Sequence, residues 1–520
     1  MATLLPRSQG IDAQTVHSTA LPTFGTLLKR YRQVAGLSQE LLAERARLSI
    51  RGISDLERGV RRLPRRDTLT LLIAALALSP ADQRAFATAA SGLASAPSLV
   101  TPDPRSNLPS LPTPLIGRAD ELAGALARLR SEDVRLLTLT GAGGVGKTRL
   151  AQAVGWALLP DFSDRVWQIE LASVRDTHLV IAAIAGVIGV EQTIGTSLLE
   201  SLIAYLREAR ALLVLDNFEH LLDAAPIVAI LLQSCPLLRL LVTSRAPLHI
   251  RGEHELLVRP FAVPDSQCLP ALDELTRNPA MLLFHQRAWA VRSDFSLTAA
   301  NAATVAAICR RVDGLPLALE LAVARVKLLA PATLLARLEQ PLPLLTGGAR
   351  DLPERHRTLR GSIAWSYDLL THMEKALFRR LSVFVGGCTV AAVASMCRAG
   401  DDRGGSLLDW LASLLDKNLL VQLQTAGGED EPRFGMLETV REYGLECLAA
   451  VGELRRSRER HAAYFQAMAK TAEQARTGPQ GHLLLARLDL EQDNLRAARE
   501  FERGAGLGDD SDLRLTPIRS

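Results

Sequence analysis

The stretch LLTLTGAGGVGKTRLAQAV, residues 136–154, decides the fold. Its first five residues read as a buried strand, its middle as a glycine-rich turn, and its end as a helix with apolar residues at helical spacing. Gly141, Gly146, Lys147 and Thr148 satisfy GxxxxGK(S/T), with the strand before and the helix after that this motif requires. Gly141, Gly143, Gly144 and Gly146, with Val145 between them, let the backbone wrap phosphate groups. The amides and dipole of the helix start point at those phosphates. Lys147 is placed to reach the β and γ phosphates and the Thr148 hydroxyl to bind Mg²⁺, and Arg149 extends the run of candidate nucleotide contacts.

Sixty-nine residues past Lys147, ALLVLD (211–216) supplies another strand. It ends at Asp216, a candidate to hold the magnesium hydration shell. The next residue is Asn217, where a water attacking a γ-phosphate needs a group that accepts its proton. An amide can orient water but cannot take the proton, and Glu219 follows two positions later. Turnover is therefore expected to be slow or dependent on a partner. LRLLVTSRAPL (238–248) ends a further strand at Thr243, Ser244 and Arg245. An arginine there can sense a γ-phosphate, and it can equally be a strand-terminal cation. Lys147, Asp216 and Arg245 form the candidate catalytic set. The runs RLLTLT, RVWQIEL, ALLVLD and LRLLVT alternate with helical patterns, which predicts a parallel sheet with crossover helices.

At 520 residues the chain exceeds one core, and about three or four domains are expected. Six cysteines (Cys235, Cys268, Cys309, Cys388, Cys397, Cys447) lack CxxC spacing. That argues against a disulfide framework or zinc site and fits a reducing, cytoplasmic setting. The first 20 residues hold one Arg and no apolar segment, unlike a signal peptide. The longest apolar run, LVIAAIAGVIGV, has 12 residues, too few to span a bilayer. Net charge is +4, but eleven Lys or Arg against five Asp or Glu lie between Pro22 and Pro80, so the basic excess sits in one small block.

The expected organisation is multidomain α and α/β. A basic all-α domain covers 22–90, a Pro- and Ser-rich linker 91–115, and the P-loop α/β domain 116–265. A helical domain covers 266–345. A further helical block, 352–450, carries one hairpin around LLVQLQTAGGEDEPRFGM, and helical spacing returns over 452–503. Residues 504–520 show no periodicity and are expected to be disordered.

In the basic block, GLSQELLAERARLSIRGISDLERG (36–59) offers two short helices capped by Ser38 and Ser49. Leu41, Leu42, Ala46, Leu48, Ile53 and Leu56 have the spacing for a shared core. Gln39, Arg51, Ser54, Asp55 and Arg58 are left outward, and RGVRRLPRR adds cations suited to phosphate oxygens. Over residues 23–78 this block resembles the helix-turn-helix of the Cro and phage-repressor (Xre) type. The resemblance implies that 49–57 lies in the major groove of double-stranded DNA. Gln39 would then touch the backbone, Ile50, Arg51 and Asp55 would face base edges, and Ser49, Ser54 and Arg58 would lie beside them. Arg32 and Glu57 match the pair that ties the first helix to the third. Arg47 departs from the Gly usual in the turn. A basic bundle that binds a protein, or is merely solvated, is the alternative.

With CRRVDGLPLALELA (309–322), the P-loop and its strands resemble the NB-ARC class of STAND ATPases over about residues 108–450. The resemblance implies ATP or ADP as cofactor, with Ile116, Gly117 and Arg118 of LIGRADEL on the adenine side. It likewise implies that Pro316 of GLPLA packs on the nucleotide. LPERHRTLRGSIAWSYDLL and FRRLSVFVGGCTVAA look like the start of that family's winged-helix domain. The family's Met-His-Asp triplet, which closes over the ADP phosphate, is replaced by Met436-Leu437-Glu438. Leu437 cannot donate to phosphate, which leaves Glu438 to hold the hinge; an ordinary amphipathic helix is the alternative. RHAAYFQAMAKTAEQA and LLLARLDLEQDNLRAAREFE look like the first helices of a helical-repeat sensor, in a natural short form or a truncated one.

Three readings follow. The first is a transcription regulator whose ATP or ADP state controls conformation, self-association and DNA binding, at most a slow ATPase, answering an unidentified signal ligand or protein away from membranes. The second is a P-loop remodelling ATPase, which Asn217 disfavours. The third is a signalling scaffold whose head is a protein adaptor, which outward Arg51 and Asp55 disfavour.

Overall fold

In the computed structural model the chain divides into two compact units, Met1–Pro102 and Asp103–Ser520. The structure describes residues 24–35, 37–46, 48–58, 64, 66–76 and 86 of the first. In the second it describes 106–504, except 112, 164, 194, 266–268, 349–356, 398–405, 424–431 and 475–486. The expectations for Arg47, for most of the basic run after Arg58, for most of the linker and for the tail from 505 lie outside the described residues.

The first unit holds α1 (Phe24–Val34), α2 (Gln39–Ala46), α3 (Ile50–Glu57) and α4 (Arg66–Leu76). Ser38 Oγ accepts from the Leu41 amide and Ser49 Oγ from the Gly52 amide, both at 3.1 Å, so both serines sit where free first-turn amides need an acceptor. Phe24, Leu28, Leu42, Ile53, Leu72 and Phe86 are buried in one core. Leu41 is a correction: it is 41% exposed, and Ala43 is buried instead. The inner stripe of α2 runs through 42, 43 and 46, which leaves position 41 on the outer flank.

The second unit is built on five parallel strands: β1 (Leu136–Thr140), β2 (Val166–Glu170), β3 (Ala211–Asp216), β4 (Leu238–Thr243) and β5 (Glu253–Leu257). Their order is β2-β3-β4-β1-β5. Every residue of β1 and β3 is buried, as expected of strands covered on both faces. The covering helices are α5 (Ala119–Arg130), α6 (Lys147–Leu158), α7 (Leu179–Ile188), α8 (Leu198–Leu206) and α9 (Ala225–Ser234). Because β4 lies between β1 and β3, the carboxyl ends of these three strands stand side by side. The edge strand β5 was not foreseen, because EHELL is not an apolar run. Its Glu253 and Glu255 accept hydrogen bonds from Thr138 and Thr140 at 2.6 and 2.5 Å.

The expected helical region follows: α10 (Leu272–Leu275), α11 (Pro279–Val291), α12 (Ala299–Arg311), α13 (Pro316–Val323), α14 (Pro331–Arg337) and α15 (Pro341–Leu344). Proline opens four of these helices, where its missing amide costs nothing. Next come α16 (Leu359–Asp368), α17 (His372–Leu381), β6 (Cys388–Thr389), α18 (Val390–Met396), α19 (Leu407–Asp416), β7 (Val421–Leu423), β8 (Arg433–Gly435) and α20 (Glu438–Ala450). The expected hairpin is β7 with β8; β6 adds a third antiparallel strand on the other side of β8.

Two helices close the described fold, α21 (Leu454–Gln474) and α22 (Gln492–Gly504), and the start of α22 is pinned to this small sheet. Buried Glu491 pairs with Arg433, and Asn494 bonds the Gly387 carbonyl and the Val385 amide, each at 2.8 Å. No helix among the described residues is long and apolar enough to cross a membrane.

Candidate functional site

The glycine-rich turn between β1 and α6 needs backbone that side chains resist. Gly141, Gly144 and Gly146 have φ of +148°, +80° and +99°. Lys147 folds back over this loop, its ammonium donating to the carbonyls of Gly141 at 2.6 Å and Ala142 at 3.1 Å. Desolvation of that ammonium lowers its pKa to about 8, against the pull of Glu219 and Asp216. Thr148 Oγ1 donates to Asp216 Oδ1 at 2.8 Å, joining the start of α6 to the end of β3. Thr243, at the end of the intervening β4, donates to the same oxygen at 2.5 Å. Burial pushes the Asp216 carboxyl up, and the two hydroxyls pull the other way.

Asn217 is half-buried. It lies in the left-handed region, with φ +64°, which asparagine tolerates. Its side-chain amide donates to Asp216 Oδ2 at 3.1 Å and its backbone amide to Thr243 Oγ1 at 2.9 Å. The turn this creates carries Glu219 inward. There its Oε1 accepts from Arg245 Nε at 3.2 Å. Burial pushes the Glu219 carboxyl up, but the Arg245 guanidinium and the Lys147 ammonium together hold it below the usual range. Arg245 also donates from Nη1 to the Ser362 carbonyl at 2.9 Å and to Ser366 Oγ, both on α16. Asn418 closes the other side by donating to the Arg245 carbonyl at 2.7 Å. A methyl group on Gly143 would come within 2.5 Å of Ser362 Oγ and 2.7 Å of Arg245 Nη1, so α16 sits directly over the loop.

On the other flank, Ile116, Arg118, Val145, Gly146, Arg149 and Pro316 line one cleft, together with Phe261, Leu283 and Arg287. Arg118 acts as a brace within it. It is buried, donates to the Val145 carbonyl at 3.0 Å and to Glu121 at 2.6 Å, and lies over the Phe261 ring at 4.4 Å. Gly117, with φ +59°, packs against Pro279 with no room for a side chain. Arg149 donates to the Thr113 and Pro114 carbonyls, at 2.5 and 3.1 Å. The α13 start reaches the loop through the Leu317 amide, 3.1 Å from the Gly144 carbonyl. The residues present therefore suit a phosphorylated nucleotide: a glycine cradle at a helix start, a lysine, a threonine–aspartate pair and an apolar-walled cleft. Among the described residues no cluster of three His, Cys, Asp or Glu could hold a metal ion, so a cation would rest on Thr148, Asp216 and oxygens supplied by the nucleotide.

Sequence reasoning missed Asp313 as a joint. Its carboxylate accepts from the Glu438 and Thr439 amides, each at 2.9 Å, and from Thr439 Oγ1 at 2.7 Å. So the joint at Met436-Leu437-Glu438 is held by backbone amides on Asp313 and also by the Glu438 side chain, which pairs with Arg311 at 3.7 Å and with Arg441 at 2.7 Å. An aspartate in the left-handed region just before a Gly-Leu-Pro helix start was the available signal.

In the first unit, Arg32 pairs with Glu57 through two hydrogen bonds, at 2.6 and 3.1 Å, and also donates to the Leu37 carbonyl. Gln39, expected outward, donates to Glu57 at 2.6 Å and is half-buried. Ile50 is 49% exposed and Arg51 is exposed, whereas Ser54 and Asp55 are half-buried. Arg58 pairs with Asp55 at 3.0 Å.

The helix-turn-helix domain family matches residues 23–86, and the winged helix-turn-helix domain family matches residues 370–449. The uncharacterized protein Rv0894 of Mycobacterium tuberculosis is 38% identical over 343 residues, 66% of this chain and 83% of that protein. The "Putative HTH-type transcriptional regulator Rv0890c" of the same organism is 40% identical over 373 residues, 72% of this chain and 40% of that regulator. Mb0914c of Mycobacterium bovis, which carries the same description, gives the same figures. The chain belongs to the family of Rv0894. It spans 40% of the length of the named regulators it matches. Among solved structures, a STAND protein with a tetratricopeptide repeat sensor from Pyrococcus horikoshii aligns at 15% identity and a TM-score of 0.28, covering 77% of this chain and 49% of that one. Cdc6p from Pyrobaculum aerophilum aligns at 16% identity and a TM-score of 0.27, covering 66% and 97%.

Proposed function

We propose that this chain is a transcription regulator whose hold on double-stranded DNA is set by whether ATP or ADP lies in the loop of residues 141–148. What supports the reading most is that the loop is gripped from two sides. Leu317 of α13 meets Gly144, and Ser362 of α16 meets Gly143 beside Arg245. A γ-phosphate there competes for Arg245, so ATP and ADP differ in how they affect the α16 contact. Lys147 binds phosphate, Thr148 and Asp216 hold the magnesium ion that neutralises the phosphate charge, and the cleft at Ile116 and Pro316 takes the base. Arg51 and its neighbours on α3 read the DNA, and self-association supplies a second half-site. The signal ligand or protein acts on the same balance of states.

Only a difference in affinity between states moves their populations, and a change from 1:99 to 99:1 takes about 5.5 kcal/mol of it. Titration calorimetry on the full chain tests the reading, with gel-shift selection from random DNA run in ATP and in ADP. ATP and ADP bind, Lys147→Ala abolishes both, and DNA occupancy changes with the nucleotide loaded. A chain indifferent to adenine nucleotides, or an occupancy that ignores which is bound, sinks it.

A further inference from the structure

We propose that the Glu219 carboxylate, rather than the residue after Asp216, receives the proton of the water that attacks the γ-phosphate, and that Arg245 restrains it through its grip on α16. The inference rests on the nucleotide reading above. The Asn217 side-chain amide donates one N–H to Asp216 and cannot act as a base, and the turn at Asn217 delivers Glu219 into the interior. Glu219 is 8% exposed. One of its oxygens is held by Arg245, and the other, Oε2, is buried with no hydrogen-bond partner among the described residues. A buried, unpartnered carboxylate oxygen is costly, so its retention beside a phosphate loop calls for a use. Its partner Arg245 reaches as far as Gly143 of that loop. A cavity of mixed lining, with Glu219, His220, Arg245, Ser366 and Lys417 on its polar side and Leu222 among its apolar residues, opens beside it.

In the step, the water oxygen forms a bond to the γ-phosphorus while the bond from that phosphorus to the β,γ-bridging oxygen breaks. The electron pair of the broken bond leaves with ADP. The water proton passes to Glu219 Oε2 and then to solvent, so ATP and water give ADP, inorganic phosphate and a proton. Arg245 opposes this in the closed arrangement. Its positive charge makes Glu219 a weaker base, and its bonds to Ser362 and Ser366 keep it from swinging to the γ-phosphate. Loosening α16 would let Arg245 move to the phosphate and free the carboxylate.

Glu219→Gln in the full chain is the test, because it keeps shape and an acceptor for Arg245. Single-turnover hydrolysis of Mg-ATP, followed by chromatography of the nucleotide, should fall about 100-fold or more, within the range for general-base catalysis. Calorimetry should show ATP binding strengthened relative to ADP by about threefold or more, since a negative charge near the γ-phosphate is removed. Ser366→Ala, which removes one hold on Arg245, should quicken single turnover in the otherwise unaltered chain and not in the Glu219→Gln background. If Glu219→Gln binds ATP and hydrolyses it at the unaltered rate, the proposal fails while the nucleotide reading stands. If the unaltered chain binds no ATP, both fail together. If Ser366→Ala brings no quickening, the restraint by α16 is refuted and the proton-acceptor role is left to the first two measurements.

Discussion

The molecule contains two helix-turn-helix regions that use the same motif in opposite ways. In the first unit, α3 keeps its outer face open, with Ile50 and Arg51 exposed, in a block rich in Lys and Arg. In the winged-helix region, α19 stands in the matching place, before the β7–β8 hairpin, but LLDWLASLLD has no Lys or Arg. Its polar groups are spent on neighbours. Asp409 forms a capping box with Ser406, Asp416 faces His249, and Lys417 and Ser413 bond Glu374. Asn418, just beyond, holds the Arg245 carbonyl. The motif fixes a helix geometry, and the charge and the partners of the helix decide whether that geometry is left open or is used up within the fold.

The sharpest way to test that contrast is through the ion pair that anchors each motif. Removing Arg32 leaves Glu57, whose side chain is 4% exposed, with the Gln39 amide as its remaining hydrogen-bond partner among the described residues. Arg32→Ala should cost about 3–5 kcal/mol and unfold the first unit while nucleotide affinity is unaffected. Glu374, by contrast, keeps Ser413 and the Thr371 amide when Lys417 is removed. Lys417→Ala should therefore cost only about 1–2 kcal/mol. Denaturant unfolding with segment-resolved hydrogen exchange separates the two. Equal costs would mean that the two anchors do the same work.

A smaller effect is expected at the outer faces of α3 and α19 themselves. Arg51→Ala should weaken binding to a selected DNA sequence by about 10- to 100-fold, the loss of about 1–3 kcal/mol expected for one good base contact. Leu408→Gln, on the 61%-exposed outer face of α19, should leave DNA affinity within about twofold, because no base or phosphate contact is lost. Fluorescence anisotropy decides it. A larger loss at Leu408 than at Arg51 would reverse the assignment of the two motifs.

How much of this was legible in the sequence depended on whether a residue's role was local. The P-loop, the four apolar strands and the serine caps each follow from a few neighbouring residues, and they are where the sequence placed them. The edge strand β5 was hidden because its glutamates bond threonines 115 positions away, and no local pattern encodes such a pairing. Leu41 was misplaced because adjacent leucines leave the inner face of an eight-residue helix ambiguous. Asp313 and Ser366 act on partners more than 100 residues distant. Glu219 was noticed, but its direction depended on the left-handed turn at Asn217, which asparagine permits without announcing.

The gentlest distinction between the two regions is the sign of their pH dependence. In the first unit, burial pushes Glu57 up but the Arg32 and Gln39 hydrogen bonds hold it below its ordinary value. Its stabilising effect is present above the pKa of the unfolded chain and is lost as pH falls through the lower folded value. In the winged-helix region, burial raises Glu442 of α20 to about 7, with Glu446 adding to the effect and the Leu342 amide opposing it. That contribution has the opposite sign. It is complete below the ordinary carboxylate range and is lost as pH rises toward about 7. Glu442 is only half-buried, so solvent screening limits the effect to about 1 kcal/mol. Between pH 5 and pH 8, hydrogen exchange corrected for its intrinsic rate should therefore show α20 losing protection while α1 to α3 keep theirs. Glu442→Gln should abolish the loss, because an amide carries no charge to bury. If α20 keeps its protection through pH 8 in the unaltered chain, Glu442 is ionised there without penalty, and the contrast between the two regions lies only in their surfaces.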